Sequence, residues 1–336
     1  MSPRSAVVRA SRGAAERMRA FSPNARLVIA AAIVLLVVAC YLVLFLRGSL
    51  AFAVPRRLTT LGAMVVAAFA QGIGTVLFHT VTGNRILTPS IVGFDSLYVL
   101  MQTLMVFVFG GSVIAATEGI PKLLTQTALM VGFAVLLYRW LFSGRFGSLM
   151  LLLLMGVVLG LAFDSLSTFL QRLLSPTEYD LLSTRLFGRI GDVEPSYLPI
   201  AFAVCVLVGV VVWRRRHVLD VLLLGRDHAT SLGIDHRREL TLALVLIAVL
   251  VAFSTALVGP LTFFGFVVAT LAYQLAGDWR HRVVLPMAFL LGLGTLAGGQ
   301  FVLQHLLAAR GMLTVIIEFV GGIAFLLLLL RRKGAL

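Results

Sequence analysis

The 336-residue sequence has few charged residues and only two lysines and two cysteines, and each scarcity excludes a class of protein. Charged residues make up 12% of the chain, whereas a soluble domain carries about 25%. Hydrophobic residues make up 60%, and the mean hydropathy is +1.03. These values exclude a soluble fold, and we expect one all-α polytopic membrane protein.

The sequence also lacks the motifs of ATP hydrolysis and of metal-dependent catalysis. A P-loop needs lysine in the pattern G-x-x-x-x-G-K-[ST], and neither Lys122 nor Lys333 has that context. The six histidines form no H-E-x-x-H pattern, so we interpret them as membrane-interface residues. Cys40 and Cys205 lie in apolar runs, which favours small buried side chains over a disulfide or metal site. We predict a protein without catalytic, cofactor or metal residues.

Long apolar runs dominate what is present. A transmembrane helix needs about 20 mostly apolar residues. The runs predict about ten spans, at residues 27–46, 58–78, 91–110, 122–142, 148–170, 197–213, 240–258, 262–276, 283–303 and 314–330. The eighth span is short and follows Gly259 and Pro260, so we expect a broken or tilted helix there.

The basic residues orient the spans. With the N-terminus in the cytoplasm, twenty of the 28 Lys and Arg residues fall on the inner side and eight on the outer side. This asymmetry follows the positive-inside rule and predicts that both termini are cytoplasmic. It also explains the net charge of +14 by contact with anionic membrane lipid, so nucleic acid is not needed as a partner. We assign a basic cytoplasmic segment to residues 1–26 and a single transmembrane domain to residues 27–333.

Two connecting segments are long enough to have a function of their own. The outer loop covers about residues 171–196, and the inner loop covers about residues 214–239. Within the inner loop, three Arg, two Asp, two His and two Gly residues are concentrated in the stretch LLLGRDHATSLGIDHRR, at 222–238. It is either a solvated connector or a surface that a partner outside the membrane grips.

Four motifs at span boundaries carry a resemblance to a known family. They are Val-Pro-Arg at 54–56, the turn from Thr82 to Gly93, the Leu-Gly and Ala-x-x-Leu-Gly spacing at 224–233, and Gly-Pro-Leu-Thr-Phe-Phe-Gly at 259–265. In this order the motifs resemble those of the permease subunits of bacterial iron–siderophore ABC importers, whose relatives include the vitamin B12 importer permease. The stretch 85–98 is similar to the second-permease branch of catecholate or mixed-type siderophore importers.

The sequence departs from the family pattern in three places. The usual Pro-His pair and Arg after Gly265 are replaced by Ala269, Thr270 and Tyr273. In the ninth span Gly299 and Leu303 replace an Asp…Arg pair, and Arg-Gly-Met at 310–312 replaces Glu-Leu-Pro. These differences bear on the substrate and on the geometry of the permease dimer.

The resemblance implies a type II ABC importer permease fold in the bacterial cytoplasmic (inner) membrane. The expected cargo is a ferric siderophore, with cobalamin, haem or another metal chelate as the alternative. The expected partners are an identical or homologous permease, two ATPase subunits that use the ATP, and a periplasmic or lipid-anchored siderophore-binding protein. An ATP-independent secondary transporter is the alternative of a different class, and a membrane enzyme comes third.

The resemblance also implies roles for individual residues. The inner loop would contact the ATPase, through Gly225, Arg226, Ala229, Leu232 and Gly233. The glycines would stop short helices, Ala229 would let a partner approach closely, and Leu232 would be an apolar anchor.

Charged residues elsewhere complete the candidate sites. On the outer face, Arg56 and its neighbour Arg57 would dock the binding protein, or else place their charges at the membrane interface. Asp164 and Glu318, in the fifth and tenth spans, and Asp95, in the third, are candidates for the pathway or the dimer seam, because charges inside a membrane usually face a cavity or a partner. Asp95 could equally cap the start of its helix.

Overall fold

The computed structural model describes residues 21–44, 49–110, 119–142, 149–186, 190–305, 315–317, 319–323 and 326. Throughout this part of the chain the regular structure is helical, as predicted, and no strand is present. The helices are α1 (Pro23–Val43), α2 (Leu50–Thr82), α3 (Phe94–Phe109), α4 (Ile120–Phe142), α5 (Leu149–Gln171), α6 (Pro176–Leu186), α7 (Leu198–Arg214), α8 (Arg216–Leu222), α9 (Arg226–Ser231), α10 (His236–Val258), α11 (Phe264–Ala276) and α12 (His281–His305).

Within the described residues, six helices are long and apolar enough to cross a membrane, namely α1, α2, α5, α7, α10 and α12. Two more, α3 and α11, are apolar but shorter, as is the Ile120–Leu136 part of α4. Each of the first nine predicted spans therefore coincides with a helix. The tenth overlaps residues 315–317 and 319–323, which are helical.

Capping residues explain where several helices begin and end. The hydroxyl of Ser22 accepts the N–H of Ala25 at 3.3 Å, and Pro23 occupies the first turn of α1, where a missing N–H costs little. At the other end of the next helix, Gly83 adopts φ 62° and stops α2. The predicted second span, 58–78, is shorter than the helix that contains it. α2 has 33 residues, about 50 Å at 1.5 Å per residue.

The long helix α2 lies at the centre of the bundle. It packs against α7, α10, α11 and α12, while α1 packs on α12, α3 on α5 and α4 on α10. Small residues allow this close packing: a Cβ on Gly72 would lie 3.2 Å from the Ala288 carbonyl oxygen, and one on Gly292 would lie 3.2 Å from the Cβ of Ala68. Close approach of small residues is a principal source of helix association inside membranes.

Two short helices follow glycines with positive φ. Gly93, with φ 94°, precedes the 16-residue α3, and Gly259, with φ 79°, precedes the segment that leads into the 13-residue α11. At 1.5 Å per residue these helices span about 24 and 20 Å, less than the roughly 30 Å hydrocarbon core. The eighth predicted span is thus a short helix that non-helical residues 259–263 separate from α10, and its tilt stays a prediction.

A hydrogen bond joins the starts of the two short helices. The hydroxyl of Thr262 donates to Oδ2 of Asp95 at 3.0 Å, and Asp95 is buried in the first turn of α3. The 259–265 motif therefore meets the first turn of α3, the helix that follows the 82–93 turn. Short or interrupted helices are common near the substrate site of membrane transporters.

Candidate functional site

The inner loop folds into two short helices. α8 continues almost directly from α7, Gly225 separates it from α9, and the chain then turns at Gly233 into α10. α9 contacts α8 and α10. The inner loop is thus a compact element held against the bundle rather than an extended connector.

Both glycines of the inner loop adopt backbone conformations that side chains disfavour. Gly225 has φ 92° and ψ 171°, a region populated almost entirely by glycine. At Gly233, with φ 81°, the N–H of Ile234 donates to the carbonyl of Ala229 and the N–H of Gly233 to that of Thr230, both at 3.0 Å. These two bonds form a Schellman motif. The expectation that the glycines stop short helices is confirmed.

Burial separates Ala229 from Leu232. Ala229 is fully buried in the hydrophobic core, and Ile234 packs against that core beyond the turn. The small side chain of Ala229 therefore packs α9 against the core of this protein. This corrects the expectation that Ala229 faces a partner. Leu232 is 64% exposed and Arg226 is exposed, so these side chains form the outward surface of the inner loop.

The two ends of the inner loop are fastened together. Arg215, between α7 and α8, forms an ion pair with Glu239 in the first turn of α10. Asp235 caps α10 by accepting the N–H of Arg238 at 3.1 Å. A cavity of about 760 Å³ lies between the C-terminal end of α2, the inner loop and the start of α10. An element braced at both ends can move as a unit when a partner pushes it.

The structure distinguishes the two arginines at the start of α2. Arg57 donates to the carbonyls of Tyr41 and Leu44, at 2.6 and 2.9 Å, and so satisfies the C-terminal end of α1. This role within the chain explains Arg57 without a docking partner. Arg56 is exposed, and docking of the binding protein remains a prediction for that residue.

The acidic candidates lie in different environments. Asp95 is buried and held by Thr262, at the second residue of α3, where a carboxylate also suits the helix dipole. Asp164 is exposed on α5. Glu318 lies outside the described residues.

Asp164 begins an exposed polar stripe along the C-terminal half of α5 and the residue after it. Thr168 and Arg172 follow at four-residue intervals and are also exposed. Residues four apart lie on one helix face. Gly156 and Gly160 precede Asp164 at the same spacing and lie against Val92 and Gly93, so the exposed stripe begins where this packed part of α5 ends. A polar stripe in lipid is costly, so this face suits water or a partner.

Sequence reasoning missed a buried polar cluster near the inner loop. His281 and Thr80 are 2% and 4% exposed, and Asp220 on α8 bonds to His281. His79 is also buried, so protein rather than lipid or water surrounds two of the histidines, and their position at the membrane interface stays a prediction. The only signal in the sequence was the position of these polar residues at the inner ends of apolar runs.

Among the described residues, no group of three His, Cys, Asp or Glu side chains is placed to hold a metal ion. The geometry instead provides a braced inner loop, a bundle centred on α2 and an exposed polar stripe. The expectation that the chain binds no cofactor stays a prediction.

A sequence profile of the FecCD transport family matches residues 44–331. The chain belongs to the FecCD transport family. Among relatives, this FecCD chain is 44% identical to the petrobactin import system permease protein FatC of Bacillus anthracis over 281 residues, 84% of this chain and 79% of FatC. It is 38% identical to the petrobactin import system permease protein YclO of Bacillus subtilis strain 168, over 85% of this chain and 91% of YclO. The resemblance inferred from the four motifs is confirmed.

Two further comparisons extend the family assignment. The petrobactin import system permease protein FatD of Bacillus anthracis is 24% identical over 83% of this chain and 80% of FatD. A solved metal-chelate type ABC transporter in an inward-facing conformation has a TM-score of 0.78 and 20% identity, covering 92% of this FecCD chain and 100% of that chain. This structural likeness supports the permease fold.

Proposed function

We propose that this chain is the membrane-spanning permease subunit of an ABC importer that carries a ferric siderophore across the bacterial cytoplasmic membrane. The observation that carries the proposal is the 44% identity with FatC across 84% of the chain. The chain supplies the moving pathway, and a separate ATPase supplies the energy.

The cargo proposed is a siderophore of the petrobactin class. The two relatives named for petrobactin import are 44% and 38% identical to the chain. The ferric enterobactin permease FepD of Escherichia coli is 27% identical, and a vitamin B12 permease of Vibrio parahaemolyticus is also 27% identical. The higher sequence identity with the petrobactin permeases favours petrobactin as the cargo. Cobalamin and other chelates are the alternatives that the experiment tests.

The partner permease proposed is homologous rather than identical. FatC and FatD both carry the name of the petrobactin import system in Bacillus anthracis, and the chain resembles FatC far more closely than FatD, at 44% against 24% identity. A transporter of this kind would pair one FatC-like permease with one FatD-like permease. The exposed polar stripe from Asp164 to Arg172 supports a seam or pathway between them, since lipid would disfavour it.

The inner loop is proposed as the contact with the ATPase. Its two ends are paired through Arg215 and Glu239, and its outward surface carries Leu232 beside charged residues, an apolar anchor within a polar rim. With ten spans and both termini inside, this loop lies in the cytoplasm, where nucleotide is hydrolysed. ATP-driven closure would then rock the attached helices as rigid units. Outside, Arg56 would meet the siderophore-binding protein.

Reconstitution of the complete transporter tests the proposal. The chain, its companion permease, the ATPase and the binding protein are placed in vesicles, and uptake of radioactive iron bound to petrobactin is measured. The control carries an ATPase whose P-loop lysine is replaced. We expect uptake that requires ATP and disappears in the control. Uptake that persists in the control would establish a secondary carrier instead, and uptake of cobalamin in place of the iron chelate would establish the other cargo.

A further inference from the structure

Three side chains from distant parts of the sequence form one buried chain of hydrogen bonds beneath the inner loop. Asp220 lies on α8, His281 is the first residue of α12, and Thr80 lies near the inner end of α2. Oδ1 of Asp220 is 2.7 Å from Nδ1 of His281, and Nε2 of the same ring is 2.7 Å from the hydroxyl of Thr80. The chain therefore connects one helix of the inner loop to two spanning helices.

Asp220 also completes the start of α12. The backbone N–H of His281 donates to the same Oδ1 atom at 2.8 Å. The first N–H groups of a helix have no partner within the helix, and a carboxylate is favoured there by the helix dipole. One oxygen atom of α8 thus holds both the backbone and the ring of the residue that begins α12.

The chemistry of these hydrogen bonds makes them hard to stretch or break. A carboxylate can only accept, so Nδ1 of His281 carries the proton between the two groups. Bonds to a charged group are about twice as strong as neutral ones. His281 is 2% exposed and the side chain of Asp220 13% exposed, so little water is available to replace a broken bond.

The helix contacts place the three hydrogen-bonded residues between the inner loop and the centre of the bundle. α9 rests on α8 and α10, and α8 in turn contacts α12 and α2. The ion pair of Arg215 with Glu239 closes the inner loop on itself and does not reach α2 or α12. α2 is the helix around which α7, α10, α11 and α12 are packed. A displacement of the inner loop can reach the bundle centre through Asp220, His281 and Thr80.

We propose that Asp220, His281 and Thr80 are positioning residues that transmit movement of the inner loop to α12 and α2, and so couple ATP hydrolysis to transport. The inference rests on the proposed function, because it requires a motor that pushes the inner loop. Without the hydrogen-bonded chain, the ATPase still binds and hydrolyses ATP, but α12 and α2 follow the inner loop incompletely. The number of chelates imported per ATP then falls.

Matched substitutions separate hydrogen bonding from packing. Asp220→Asn keeps an oxygen that can accept both bonds from His281, whereas Asp220→Leu keeps similar bulk and accepts none. Thr80→Ser keeps the hydroxyl and Thr80→Val removes it. The complete transporter is reconstituted with each variant, and iron-petrobactin uptake, ATPase rate and co-purification of the ATPase are measured.

We expect Asp220→Leu to lower uptake per ATP by about tenfold while its ATPase rate stays within about twofold of the unaltered protein. Asp220→Asn and Thr80→Ser should stay close to the unaltered ratio, and Thr80→Val should lower it. Combining Asp220→Leu with Thr80→Val should lower the ratio no further than Asp220→Leu alone, because the chain is already broken.

The outcomes distinguish the inference from the proposed function. An unchanged ratio in both Asp220→Leu and Thr80→Val, or an equal loss in Asp220→Asn and Asp220→Leu, overturns the inference alone. Absence of ATP-driven uptake by the unaltered complex overturns the proposed function and the inference with it. If Asp220→Leu fails to assemble, the Thr80 pair decides: a loss confined to Thr80→Val supports transmission, and equal ratios in the two variants overturn it.

Discussion

Gly225 precedes α9 and Gly83 follows α2, and both have positive φ, but their ψ angles differ. Gly83, at φ 62° and ψ 11°, is in the left-handed region that asparagine tolerates, whereas Gly225, at φ 92° and ψ 171°, is in a region nearly exclusive to glycine. A Cβ on either residue would meet no atom within 4 Å. The pair therefore isolates backbone strain from steric crowding.

At the residue scale we expect Gly225→Asn to cost about 1–3 kcal/mol in the local stability of the inner loop. Gly83→Asn should cost less than about 1 kcal/mol. Limited proteolysis of the inner loop and the apparent melting temperature in detergent measure the difference. Equal proteolysis rates and melting temperatures of the two variants would show that the backbone angles of Gly225 do not require glycine.

Sequence reasoning at this scale worked where the physics was local. Glycine at a helix end is a local signal, so Gly225 and Gly233 were predicted as stops and adopt positive φ. The bond between Asp220 and His281 joins residues 61 positions apart. Hydropathy and spacing carry no information about such a pair, and the burial of Ala229 was missed for the same reason.

At the scale of elements, the contact of α5 with the turn before α3 depends on a missing side chain. A Cβ on Gly156 would lie 3.0 Å from the carbonyl oxygen of Val92 and 3.2 Å from its Cα, so backbone would have to move. Gly132 in α4 offers a matched control, because nothing lies within 4 Å of the Cβ position there. We expect Gly156→Ala to destabilise the bundle by about 1–3 kcal/mol.

Gly132→Ala should be neutral or stabilising by up to about 1 kcal/mol, since alanine is the better helix former. Thermal unfolding in detergent, followed by size-exclusion chromatography, compares the two variants. If Gly156→Ala melts at or above the temperature of Gly132→Ala, α5 does not pack against the turn as closely as the structure indicates.

The positions of the helices themselves could be predicted from the sequence, because a membrane requires long apolar runs and each run becomes a helix. What could not be predicted is where helices extend beyond the apolar core. α2 begins at Leu50, eight residues before the predicted span, and continues to Thr82. Its last turns carry His79 and Thr80, polar residues that the hydropathy pattern places outside a span but that the fold buries.

At the scale of the whole molecule, the exposed polar stripe on α5 predicts where water reaches the assembled transporter. Thr168 belongs to the stripe that starts at Asp164, while Leu166, 46% exposed, lies on a different face of the same helix among apolar neighbours. In an assembled dimer, we expect the stripe to border the aqueous pathway and Leu166 to face lipid. The two positions are nearly level along the helix, so depth alone cannot distinguish them.

Cysteine labelling of the complete transporter checks this arrangement. Cys40 and Cys205 are first replaced by Ser and Ala, and Thr168→Cys or Leu166→Cys is then introduced into that background. A membrane-impermeant charged thiol reagent should modify Thr168→Cys at least about tenfold faster, because the reagent and the reactive thiolate both require water. Petrobactin bound to iron should slow the reaction if it occupies the pathway. Equal rates at the two positions, or faster modification of Leu166→Cys, would place the stripe away from the pathway and require a different helix at the dimer seam.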